Sequence, residues 1–96
     1  MIKHVVMWRF KEENREENMA HARDILLALP ALIPELKKME VHFDITHTDM
    51  SMDLMLDTEF LSVEDMKIYA NHPEHLKVSA FIRSVVESRV VLDAEI

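Results

Sequence analysis

The chain has 96 residues, with 11 Lys or Arg against 18 Asp or Glu, for a formal net charge of −7. That balance argues against a nucleic-acid binder, which needs a basic patch, and against docking on anionic membranes. Cysteine and glycine are both absent, which removes disulfides, thiolate nucleophiles, Cys-type zinc sites, glycine-built phosphate loops and the dinucleotide fingerprint.

The stretch "IKHVVMWRF" reads as a first strand. Ile2, His4, Val6, Trp8 and Phe10 fall on one face, and Lys3, Val5, Met7 and Arg9 on the other. Both faces carry apolar residues, so both are expected to be covered. A helix is expected from about Asn14 to Leu29, with Asn14 as its cap and Glu17 completing a capping box. Met19, Ala22, Leu26 and Leu29 form its apolar stripe, and Pro30 and Pro34 end it. In "KKMEVHFDI", Met39, Val41, Phe43 and Ile45 alternate with Glu40, His42 and Asp44. The polar link "THTDMSMD" joins this second strand to a third, "DLMLDTEF", whose Leu54, Leu56, Thr58 and Phe60 share a face. The two are expected to pair as an antiparallel hairpin.

Ser62 is the expected N-cap of a second helix, with Asp65 at its third position. Pro73 breaks and restarts that helix, since proline is tolerated in a first turn. Val78, Phe81, Ile82 and Val85 form the apolar face of the second half, and "SRVVLDAEI" closes the chain as a fourth strand. The order β-α-β-β-α-β is the ferredoxin-like split βαβ arrangement, an α+β fold with a four-stranded antiparallel sheet and helices on one face. The other face, carrying Val5 and Met7, then needs a partner. A second copy of the sheet is the simplest one, giving a homodimer through the sheet face. No apolar run approaches the roughly 20 residues of a membrane span, and "MIKHVVMWRF" lacks a signal-peptide pattern. Residues 1–96 are expected to form a single cytoplasmic domain.

"MIKHVVMWRF", "FLSVEDMKIY" and "YANHPEH" followed by "FIRSVVESRVVLDAEI" together resemble the stress-responsive dimeric α/β-barrel domains over nearly the whole chain. The most specific piece is Tyr69-x-x-His72-Pro73-x-His75. The resemblance implies a ferredoxin-like homodimer forming a dimeric α/β barrel, with no obligatory cofactor. Plant members that look similar include a polyketide cyclase performing an aldol condensation. Its catalytic Tyr and His map onto Tyr69 and His75, and its strand-one pocket histidine onto His4. The chain departs from that enzyme at Leu54, which aligns with a further pocket histidine, and at Ala22, Arg23 and Leu26, which align with aromatic positions. It departs again at Trp8, which replaces a smaller aliphatic residue and is expected to take up cavity space. The plant enzyme's substrate therefore does not transfer.

His75 would be the third residue of the restarted helix, where the positive end of the helix dipole disfavours imidazolium and suits a general base. Tyr69, just before the kink, would be the oxyanion donor. Together they suit enolisation, aldol or cyclase-like chemistry on a carbonyl compound without a cofactor. The lining expected around them is His4, Val6, Trp8, Leu26, Phe81 and Leu92, suited to a small apolar or carbonyl ligand. The plainer alternative is a helix junction with no turnover, in a stress-protective or structural dimer. His72-x-x-His75 is too sparse for a metal site, because zinc needs three or four ligands.

Overall fold

The computed structural model describes residues 1–96. β1 (Ile2–Phe10) is followed by α1 (Arg15–Leu27) and a 3₁₀ turn at Leu29–Ala31. The hairpin β2 (Lys38–Phe43) and β3 (Leu54–Phe60) comes next, then α2 (Val63–Asn71), α3 (Pro73–Val85) and β4 (Val86–Glu95). The sheet order is β2-β3-β1-β4, antiparallel throughout. This is the ferredoxin-like α+β arrangement expected from the pattern. No helix is long and apolar enough to cross a membrane.

Alternation decides the two faces of the sheet. Val6, Trp8 and Phe10 of β1 and Leu54, Leu56, Thr58 and Phe60 of β3 are buried against the helices. They meet Ala22 and Leu26 of α1, Tyr69 of α2, and Val78 and Ile82 of α3. Thr58, the buried polar residue of this group, donates its hydroxyl to the His4 carbonyl at 2.7 Å, as a buried polar group requires. The opposite face has no helix over it. Val5 and Met7 of β1 pair across to Leu92 and Val90 of β4, and Met7 pairs with Met55 of β3. The result is an apolar strip on which Leu92 is 65% exposed. At the far end of the same face Lys3 bridges Asp57 and Glu59 at 3.0 and 3.2 Å.

Three local expectations change. Asn14 adopts a left-handed conformation (φ 53°) and makes no side-chain cap, so the capping box with Glu17 does not form. Asparagine tolerates that region better than most residues, and here it turns the chain out of β1 instead of closing the helix end. The regular helix stops at Leu27, and Leu29 is buried from the 3₁₀ turn that precedes Pro34. β2 ends at Phe43, and Ile45, 87% exposed, lies beyond it in the loop.

Candidate functional site

The site is built at the junction of α2 and α3. Ser62 caps α2 by accepting the Asp65 N–H at 3.1 Å. Pro73 has no N–H and opens α3, and His72 between the helices is extended (φ −66°, ψ 136°). Its Nδ1 accepts the Glu74 N–H at 3.1 Å, making the His72 ring the N-cap of α3. The carbonyls at the end of α2 would otherwise lack partners. Tyr69 C=O accepts the His72 N–H at 3.1 Å, and Ala70 C=O accepts Nδ1–H of His75 at 3.0 Å.

That last bond fixes the tautomer of His75. A backbone carbonyl only accepts, so the proton sits on Nδ1, and in the neutral ring Nε2 keeps its lone pair. Burial holds the imidazole below its ordinary pKa against the opposing bond to Ala70, and the charges of His4, Arg89 and His72 push the same way. His75 is thus a neutral base at neutral pH. Its ring lies 4.4 Å from that of Tyr69, which also packs against Phe60 at 5.1 Å. Tyr69 is 1% exposed, and its sealed hydroxyl has no hydrogen-bond partner. Burial drives the phenol pKa far above its usual value, so the hydroxyl stays protonated.

Both rings border a cavity of about 690 Å³ between the sheet and the α2–α3 layer. That is within the usual size range of small-molecule pockets. His4, Val6, Trp8 and Leu26 line it with Tyr69 and His75. Trp8 is a wall of the cavity and leaves it open. Leu54, at the position where the similar cyclase has a histidine, is buried in the core and does not reach this space.

Two expected lining residues belong elsewhere. Phe81 turns toward α1, where its ring meets His21 edge-on at 4.7 Å and borders a separate groove. Besides His75, the α3 residues that face the cavity are Val78, Ser79, Ile82 and Arg83. Leu92 pairs with Val5 and so lies on the uncovered face of the sheet. The run Val90-Val91-Leu92 is apolar at every position, so alternation could not tell which parity points inward.

Sequence reasoning missed the contribution of β4. Its register shifts between Arg9 and Phe10: Arg9 pairs with Ser88 and Phe10 with Val86, leaving Glu87 as an extra residue. Bulges re-aim side chains, and here Val86, Glu87, Ser88 and Arg89 all border the cavity. Also missed was Asp93, paired with His4 across β1 and β4, whose carboxylate accepts the His4 Nδ1–H. Both pocket histidines therefore carry their proton on Nδ1. No three His, Asp or Glu side chains converge as a divalent metal would require.

The sequence model of the Stress responsive A/B Barrel Domain family matches residues 2–96. No curated protein matches the chain. Among solved structures, a dimeric protein of unknown function with a ferredoxin-like fold from Bacteroides fragilis superposes with a TM-score of 0.90 at 28% identity, covering 99% of this chain and 95% of that one. A dimeric ferredoxin-like protein of unknown function from Thermobifida fusca superposes with a TM-score of 0.89 at 23% identity, with 99% and 90% covered. Hydroxynitrile lyase from Passiflora edulis shares the fold with a TM-score of 0.87 at 20% identity, with 97% and 90% covered.

Proposed function

The chain belongs to the stress responsive A/B barrel domain family, and on that premise we propose that it is a homodimeric small-molecule-binding domain. In this reading its pocket performs cofactor-free acid/base chemistry on an apolar carbonyl compound. The observation that carries the reading is a neutral His75 whose ring lies 4.4 Å from that of Tyr69, both residues lining one cavity, with the Tyr69 hydroxyl left without a partner. Nε2 of His75 would take the proton α to a carbonyl. For the Tyr69 hydroxyl, sealed in this structure, to donate to the carbonyl oxygen as it becomes an enolate, ligand entry must shift the ring or its neighbours until the two meet. Enolisation, aldol and cyclisation steps all begin this way.

The dimer reading rests on the strip formed by Val5, Met7, Met55, Val90 and Leu92, which a second sheet would cover. The Bacteroides fragilis protein, 28% identical over 99% of this chain, is described as dimeric. A domain spanning residues 1–96 and lacking cysteine suits the reducing cytoplasm, which we assign as its compartment.

The test is hydrogen exchange at carbon. Phenylacetone incubated with the protein in D₂O should incorporate deuterium at its α-carbons faster than in buffer, followed by NMR. Tyr69→Phe and His75→Ala should each lower the rate by about 10²-fold or more, the usual scale of an acid/base contribution. Exchange no faster than in buffer, or unchanged in both variants, removes the catalytic assignment.

A further inference from the structure

The cationic side chains of this chain are not evenly used. Lys3, Arg15, Arg23, Lys38 and Lys77 each have a carboxylate within 4.0 Å. Arg9, Lys11 and Lys37 hold backbone carbonyls instead. Three of the 11 Lys and Arg residues are left with neither, and all three line the same cavity: Lys67 of α2, Arg83 of α3 and Arg89 of β4. Arg83 reaches only the Ser79 hydroxyl, at 3.1 Å. One carboxylate, Glu87, shares the cavity wall, and it pairs with none of them.

The chain has 18 carboxylates, and none lies within 4.0 Å of these three cations. Three cations against one carboxylate along the lining of a single cavity favour an anion there, in a protein that is negative as a whole. Beneath them the cavity is lined by Val6, Trp8, Leu26, Leu56, Val78 and Ile82, surfaces suited to an apolar body. We propose that the cavity takes an organic carboxylate, its apolar body against Trp8 and Leu26 and its carboxylate held by Arg89 with Arg83 and Lys67. A guanidinium fork matches a planar carboxylate in two parallel hydrogen bonds. A phosphate is the poorer fit, because a chain without glycine builds no backbone nest to cradle it. Arg89 pairs with Trp8 across the strands and its charge is felt at His75. A carboxylate bound there would lie beside the base and the phenol. The inference deepens the ligand-binding reading and depends on it.

Trp8 is the single tryptophan of the chain and lines the cavity, so its fluorescence reports occupancy directly. The experiment titrates the wild-type protein with phenylacetate, 3-phenylpropionate and 4-phenylbutyrate and with their uncharged amides. At least one acid should bind about tenfold or more tighter than its amide, the preference expected of a charge-assisted pair. Raising NaCl from about 0.05 M to about 0.5 M should weaken the acid and leave the amide unchanged. Arg89→Gln should remove most of the preference, and Lys67→Gln with Arg83→Gln the remainder. Equal binding of acids and amides overturns the carboxylate assignment and leaves the pocket reading standing. A preference that survives the triple variant overturns the assignment to these three residues. No binding by any acid or amide overturns both readings.

Discussion

Replacing Tyr69 by phenylalanine should make the protein more stable while disabling the chemistry proposed for it. The phenol ring is packed between Phe60 and His75, and phenylalanine keeps that ring in place, so no cavity opens. What changes is the hydroxyl. It is sealed from solvent, and no donor or acceptor lies within reach. A buried polar group left in that state costs about 1–3 kcal/mol relative to a paired one. Removing it should return about 1 kcal/mol, allowing for partial relaxation around the site. In a domain of this size that is a rise of about 4–8 °C in melting temperature. Urea denaturation followed by Trp8 fluorescence gives the same quantity as a higher midpoint at unchanged slope. A loss of 1 kcal/mol or more would refute the reasoning, because it would mean that the hydroxyl is hydrogen-bonded in solution. Stability and turnover moving in opposite directions is the expected signature of a group kept unpaired for a ligand.

The remaining predictions concern the junction and the sheet. Because burial holds His75 below its ordinary value of 6.5, the acid limb of any proton-abstraction rate should have its midpoint below pH 6.5. The same depression makes stability greatest above pH 6.5 and lost as pH falls through the folded-state value; His75→Ala should flatten that part of the stability–pH curve. Leu92→Arg on the uncovered face should give a monomer by light scattering at micromolar concentration with the secondary structure retained; an unchanged mass would remove that face from the dimer interface. His72→Ala deletes the N-cap of α3 and should cost about 1 kcal/mol in urea denaturation, without abolishing ligand binding.

Much of the fold is legible because its period is legible. Leu54, Leu56, Thr58 and Phe60 alternate over a full strand, and all four are buried as alternation requires. Ser62 followed by Asp65 marked a helix start, and Pro73 marked a restart, because caps and proline act through neighbouring backbone groups. What escaped depends on partners distant in sequence. Asn14 had the residue types of a capping box, but the turn out of β1 set its backbone instead. Arg89 and Asp93 reach the site only because β4 lies beside β1, and the bulge at Glu87 shifts the register in a way no local pattern announces. Leu92 was misassigned for the same reason: in a run of three apolar residues only the strand partner decides which side is inward. Phe81 was on the expected apolar face of α3, but that face is wide enough to serve two neighbours, and α1 takes Phe81 while the cavity takes Val78 and Ile82.

The motif Tyr69-x-x-His72-Pro73-x-His75 admitted two explanations, a helix junction and an acid/base pair, and the bond that His75 makes at the junction is compatible with both. The break at Pro73 strands the carbonyls at the end of α2, and a side chain must satisfy them. His75 does so at Ala70 through one ring nitrogen. An imidazole is the side chain that can donate from one nitrogen while the other, on the far side of Cε1, keeps a lone pair. The structural bond therefore sets the tautomer and aims the ring, and the second nitrogen is left as a base whose orientation costs nothing further. Lysine or arginine in the same place could cap the carbonyl but would offer no lone pair at neutral pH, and asparagine or glutamine would be no base. His72 differs because its Nδ1 accepts the Glu74 N–H. That bond places its neutral-ring proton on Nε2 and uses up the lone pair that a base would need. Two histidines three residues apart thus take opposite tautomers from opposite backbone partners, and only one of them is left able to accept a proton from a ligand.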